Sequence, residues 1–335
     1  MRPISAILVI ALLPVGALAA DPVPEVTETI NRGLAFLAKD NLTWKQTRKC
    51  AECHHAPFTI WALNEGKKRG YAVDEKALAE LTDWVVGNEY LDRLIQKPAK
   101  QEEVEINQAP LMLALGIEAG DAKASHEGLK KLLASILSDQ RKDGSWKRTE
   151  ARPIASSPET LTTLALLALS APSAPDMGEE AKAARDKGLK WLQVANSDDE
   201  LQAAAFRLIL WRRLGVPDSE WTPLAQQLGS AQNADGGWSQ IKTAKSDAYA
   251  TGQALYALAE AGAKPDDAAV RRAQAFLAKI QGPDGGWAMT SRAILPSGKL
   301  ATKFEPITHA GSAWAVMGLI RSAGRAPKVG DTPPK

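Results

Sequence analysis

Both cysteines of this 335-residue chain and two of its four histidines fall in one run, Lys49-Cys50-Ala51-Glu52-Cys53-His54-His55. Three chemistries suit it. Cys50, Cys53 and His54 reproduce the Cys-x-x-Cys-His pattern of covalent haem c attachment, in which two thiols add to the porphyrin vinyl groups and the adjacent imidazole ligates the iron. His309 or His55 would then supply a second axial ligand. Cys50 and Cys53 with one or two of His54, His55 and His309 also form the two-sulfur, two-nitrogen set that zinc accepts tetrahedrally. Third, an exported Cys-x-x-Cys pair with no other thiol partner tends to oxidise, and a Cys50–Cys53 disulfide would act as a local clip.

A shared site needs a fold that brings His309 next to residues 50–55, and the chain carries a repeat that does this. Gln140-Arg-Lys-Asp143-Gly144-Ser-Trp146, Gln232-Asn-Ala-Asp235-Gly236-Gly237-Trp238 and Gln281-Gly-Pro-Asp284-Gly285-Gly286-Trp287 match one another. The tryptophans of the second and third stand 49 residues apart and those of the first and second 92, close to two such periods. A degenerate unit, opening at Gly188-Leu-Lys-Trp191-Leu192, fills the gap. Gly33-Leu-Ala-Phe36-Leu37 opens a further copy that reaches Trp44, and Lys76 to Leu94 forms a sixth. Each unit pairs an amphipathic helix with one that is apolar almost all round, such as Leu161 to Leu169 or Ala248 to Ala261. Gly70, Gly120, Gly215, Gly262 and Gly324 stand where C-terminal caps are expected. Alternating outer and inner helices, with almost no period-2 pattern for strands, imply an all-α (α/α)6 toroid of six helical hairpins in two concentric rings.

The Gln-x-x-Asp-Gly-x-Trp turns resemble the QW-type repeats of squalene-hopene cyclases and of protein prenyltransferase β-subunits, over residues 30 to about 324. That resemblance implies the same α/α toroid. Prenyltransferase β-subunits place a catalytic zinc at the mouth of the ring, with ligands from later repeats whose cysteine has no counterpart here. Squalene-hopene cyclases protonate an alkene with an Asp-x-Asp-Asp motif; the nearest run in this chain is Ser197-Asp198-Asp199-Glu200. The Cys50–His54 segment closely resembles the attachment site of c-type cytochromes.

If all hairpins share one sense, the inner helices start at one end of the ring. Cys50, Cys53, His54 and His55 then share a mouth with Glu105, Asn107, Gln108, Ser157, Glu159, Asp247, Tyr249, Thr308 and His309. Most of these read as helix caps; Glu159, three residues after Ser156, reads as a capping box. Closure puts the sixth inner helix beside the first, so His309 is expected near His54 and His55. His126 belongs to an outer helix and reads as structural or exposed.

Residues 1–20 read as an export signal. Arg2 precedes an apolar run of about ten residues, too short to span a bilayer, and Ala17-Leu18-Ala19 offers a cleavage site. Residues 21–324 form the toroid and 325–335 a Pro- and Gly-rich tail. A periplasmic or extracellular location follows, with no transmembrane segment after cleavage. The net charge of +2, without a basic stripe, argues against a nucleic-acid partner. The expected function is an exported toroid with a cofactor (haem c, or alternatively zinc) at one mouth. It would support redox or Lewis-acid chemistry, with an apolar or extended ligand in the central cavity. The alternative is a non-catalytic binding ring clipped by the disulfide.

Overall fold

The computed structural model describes residues 24–48, 54–95, 105–120, 126–148, 157–172, 174–195, 201–242, 244–289 and 305–326. The proposed signal (1–20), Cys50, Cys53 and most of the tail lie outside them. Six outer helices alternate with six inner ones. The outer set is α1 (Pro24–Arg48), α3 (Glu75–Val86), α6 (His126–Ser138), α8 (Gly178–Val194), α10 (Asp218–Ser230) and α12 (Ala268–Ile280). The inner set is α2 (Ala56–Lys68), α5 (Gln108–Glu118), α7 (Pro158–Leu169), α9 (Leu201–Leu214), α11 (Ala248–Glu260) and α13 (Glu305–Ala323). A short α4 (Asn88–Leu94) follows α3 after a break at Gly87. No strand occurs among the described residues.

Inner helices touch in the cycle α2, α5, α7, α9, α11, α13 and back to α2, so the ring is closed. Burial follows the sequence pattern. Every residue of α7 from Glu159 to Leu169 is buried, whereas α12 buries only Val270, Ala273, Gln274, Phe276 and Leu277, one stripe of its surface. The tightest inner contact joins α11 and α13. A Cβ on Gly252 would meet the Trp314 carbonyl carbon at 2.2 Å, so the two backbones approach as closely as glycine permits.

The three matching turns share one construction. Each tryptophan is fully buried, and its indole N–H donates to a carbonyl ten residues back: Trp146 to Ile136 (2.7 Å), Trp238 to Leu228 (2.8 Å) and Trp287 to Leu277 (2.9 Å). Each aspartate accepts from a backbone N–H two residues on, as at Asp284 and Gly286 (3.0 Å), which tightens the turn. Each glutamine reaches the next outer helix: Gln140 donates to the Ala184 carbonyl, Gln232 to that of Ala269 and Gln281 to that of Thr29. The third set closes the ring. Gly285, at φ +90°, packs onto the Arg32 carbonyl, and the Arg32 guanidinium donates back to the Gly282 carbonyl at 2.6 Å.

Three local expectations are corrected. α1 runs unbroken to Arg48, so Trp44 is helical and packs on His55 instead of occupying a turn. Ser157 caps α7 as expected, accepting from the Thr160 N–H, but Glu159, read as a capping-box residue, instead pairs with Arg207 of α9 at 2.8 Å. Gly120 is absent from the left-handed glycines; it is needed because a side chain there would strike Asn64.

Among the described residues, aromatic side chains from the inner helices converge on the axis of the ring. Trp314 packs against Phe58, Trp61, Phe206 and Tyr256, with ring centroids 5.3–6.1 Å apart. Above them, among Gln108, Met112, Leu161, Gln202 and Tyr249, about 20 Å³ remains, room for one water. At the far ends of the inner helices a charge network is built on the buried Glu65. Glu65 accepts from Arg321 (2.6 Å) and from the Tyr256 hydroxyl (2.8 Å), and Glu260 pairs with Arg213 (3.0 Å) and Arg321 (3.2 Å). Burial alone would raise the Glu65 carboxyl; the adjacent Arg321 charge and the hydrogen bonds from Arg321 and Tyr256 outweigh it and hold the group below its usual range.

Candidate functional site

His54 and His55 immediately precede α2, and His309 lies early in α13. Ring closure brings them together, as expected: the His55 and His309 rings stack with centroids 4.2 Å apart and planes at 25°. His54 meets His55 nearly edge-on, with Nδ1 to Nδ1 at 2.7 Å. Cys53 is the residue before His54 in the chain, and Cys50 stands three positions before Cys53.

Two residues not expected from sequence complete the cluster. Asp40, on α1, places Oδ2 at 2.6 Å from His309 Nδ1 and 3.5 Å from His55 Nε2. Trp44, one turn on, lies flat on His55 at 3.9 Å and edge-on to His54 at 5.4 Å. The i, i+4 spacing of Asp40 and Trp44 puts them on one helix face; that spacing was the available signal. Thr59 of α2 closes the far side, its hydroxyl 2.9 Å from His309 Nε2.

Protonation follows from the geometry. Burial opposes a charged ring, and the neighbouring histidines add to this, so His54 is pushed down to about 3. His55 falls to about 4 for the same first reason, although Asp40 opposes the shift. Both are neutral at neutral pH. Burial would raise Asp40, but the hydrogen bonds and charges of His309 and His55 prevail and hold it well below the usual carboxylate range. An ionised carboxylate only accepts, so the nitrogens facing it carry protons. Neutral His55 with Nε2–H has a bare Nδ1. The 2.7 Å contact is then a hydrogen bond donated by His54 Nδ1–H, and neutral His54 keeps a lone pair on Nε2. No described residue bonds that nitrogen.

In this arrangement His54 Nε2 is the imidazole nitrogen left with a lone pair. Asp40, His55 and His309 also place three ligand atoms within 4.8 Å of one another. The stacking of His55 on His309 works against one ion serving both, because no nearby point lies in both ring planes. Thr59, His309 and Asp40 line up as hydroxyl, imidazole and carboxylate, the order of a hydrolytic triad. Thr59 is 0% exposed, however, so no substrate reaches its hydroxyl. Of the other mouth residues, Asn107, Ser157 and Asp247 are helix caps, and Gln202 donates to the Tyr249 hydroxyl at 3.0 Å. His126 is exposed on α6.

Residues 224–329 match the model of the squalene-hopene cyclase C-terminal domain. No curated protein matches the sequence. Among solved structures, the chain is similar to a possible member of the GH105 family from Klebsiella pneumoniae, with a TM-score of 0.61 at 12% identity over 95% of this chain and 98% of that one. It is also similar to the type II terpene cyclase MstE from Scytonema in complex with its substrate geranylgeranyl dihydroxybenzoate, with a TM-score of 0.54 at 15% identity over 89% and 97%. The fold is an α/α toroid. The resemblance carried by the Gln-x-x-Asp-Gly-x-Trp turns is thereby borne out for architecture; identities this low speak to fold alone. MstE has also been solved with its product merosterolic acid A. No described helix of the present toroid is long and apolar enough to cross a membrane.

Proposed function

We propose that this toroid is an exported one-electron redox protein carrying haem c at the mouth where its inner helices begin. Cys50 and Cys53 would hold the porphyrin covalently, and His54 would ligate the iron. The observation that carries the reading is the state of His54: neutral, tied through Nδ1 to His55, and bare at Nε2. That nitrogen belongs to the histidine the Cys-x-x-Cys-His pattern requires. When bound, haem c supplies reversible one-electron chemistry. The chain's own part is to orient the axial imidazole, shield it with Trp44 and hold it neutral. The apolar start of the sequence supplies the export that haem c attachment requires. In this reading His309, with Nδ1 on Asp40 and Nε2 beside Thr59, supports the site and becomes a second axial ligand only by leaving both partners. An apolar or extended ligand on the ring axis would meet the apolar lining around Phe58, Met112, Leu161, Phe206 and Trp314.

A second reading is a zinc site that uses Cys50 and Cys53 with histidines of this cluster, and Asp40 with one of His55 and His309 adds donor atoms beside it. One experiment separates the two. The protein is exported in a host with haem c maturation, and its absorption spectrum and metal content are measured on the same sample. A Soret band that survives denaturation, and that is lost in Cys50→Ala/Cys53→Ala, supports the haem reading. One equivalent of zinc without a Soret band replaces it, and neither signal leaves the disulfide clip.

A further inference from the structure

We infer that Asp40, acting through His55, is the positioning residue that fixes which nitrogen of His54 is bare and how strongly that nitrogen donates. The inference about donor strength rests on His54 as an axial ligand; the inference about the tautomer does not.

The argument uses three links. Asp40 Oδ2 faces His55 Nε2, so a proton sits on that nitrogen and His55 Nδ1 is left as an acceptor. His55 Nδ1 faces His54 Nδ1 at 2.7 Å, so the proton there belongs to His54. Trp44, lying on His55 with planes 13° apart, stops the His55 ring from turning to present its other edge. His309 anchors the carboxylate from the other side at 2.6 Å and is itself 0% exposed. His54, His55 and His309 are each at least nine-tenths buried, so water does not easily replace a lost link. An acceptor on the far nitrogen of a ligating imidazole raises its basicity. A more basic axial ligand stabilises the oxidised metal, so the chain from Asp40 lowers the reduction potential.

The test has two readouts. Side-chain ¹⁵N NMR of the full-length chain, produced without haem maturation, reports the tautomers directly. Wild type is expected to show His54 protonated at Nδ1 and bare at Nε2. Asp40→Asn presents an amide N–H as readily as a carbonyl to His55, so His54 is expected to become a mixture or to reverse. In the haem-loaded protein, Asp40→Asn is expected to raise the reduction potential by the equivalent of about tenfold in the equilibrium constant, about 59 mV for one electron. A change in packing alone would leave the tautomer pattern of His54 unmoved. Wild-type His54 protonated at Nε2 overturns the inference, as does an unchanged tautomer and potential in Asp40→Asn. If Asp40→Asn does not fold, His55→Gln breaks the same chain one step nearer, and the wild-type tautomer remains decisive. Absence of covalent haem from wild type overturns the proposed function instead, and leaves the tautomer result standing.

Discussion

His54 and His55 are buried without a neutralising partner strong enough to keep them charged, and this has a measurable consequence. Their folded values lie near 3 and 4, below the ordinary 6.5 of an unfolded histidine. Between those limits the unfolded chain binds protons that the native state refuses, so stability falls as pH drops below about 6.5. Each histidine contributes up to about 1.4 kcal/mol per pH unit over that window. Urea midpoints of the haem-free chain at pH 7.5 and 4.5 should differ accordingly, and His54→Asn/His55→Asn should flatten the difference. An unflattened profile would mean that both rings are charged in the native state. The histidines themselves were legible: the Cys50–His55 run announces itself, and His309 follows once closure is accepted. Asp40 was not, because an acidic residue on an outer helix ordinarily faces water. Only the position of α1 against α2 and α13 turns it inward.

Among the elements, the repeat turns were read almost completely from their residues. Aspartate, glycine and tryptophan at fixed spacing each answer a distinct requirement: a tight reversal, a left-handed residue and a large buried plane. The contact geometry makes two glycines opposite cases. Gly285→Ala adds a Cβ 2.4 Å from the Arg32 carbonyl at a positive φ and should cost about 2–4 kcal/mol in chemical denaturation. Gly229, on α10 with open space around it, should gain about 0.5–1 kcal/mol as alanine. Equal effects at the two sites would show that the turn tolerates a side chain. The first unit was misread at Trp44 because it lacks the Asp-Gly pair. Without a turn to end it, α1 simply continues, and the tryptophan becomes part of the site.

In the whole molecule, closure followed from six matching hairpins, but the filling of the ring did not. Trp61, Tyr256 and Trp314 look in sequence like any inner-helix aromatics, and their convergence on the axis depends on the ring's radius. The same holds for Glu65, Arg213, Glu260 and Arg321, which come from four inner helices. Glu65 is 3% exposed, and Glu65→Gln would leave Arg321 short of its nearest carboxylate. Loss of about 3 kcal/mol is expected by urea denaturation; a neutral result would mean that Glu260 and solvent compensate.

The Asp40–His309 hydrogen bond spans 269 positions of the chain. The anchor of Asp40 therefore waits for the last hairpin, while Asp40, Trp44, His54 and His55 are all present within the first sixth of the sequence. If the segment carries haem c as proposed, its attachment motif and the anchor of its ligand environment come from opposite ends of the chain. A nonsense fragment ending before α13 would keep the attachment motif but lose the partner that anchors Asp40. On the proposed haem reading, the spectrum of such a fragment would differ from that of the finished chain.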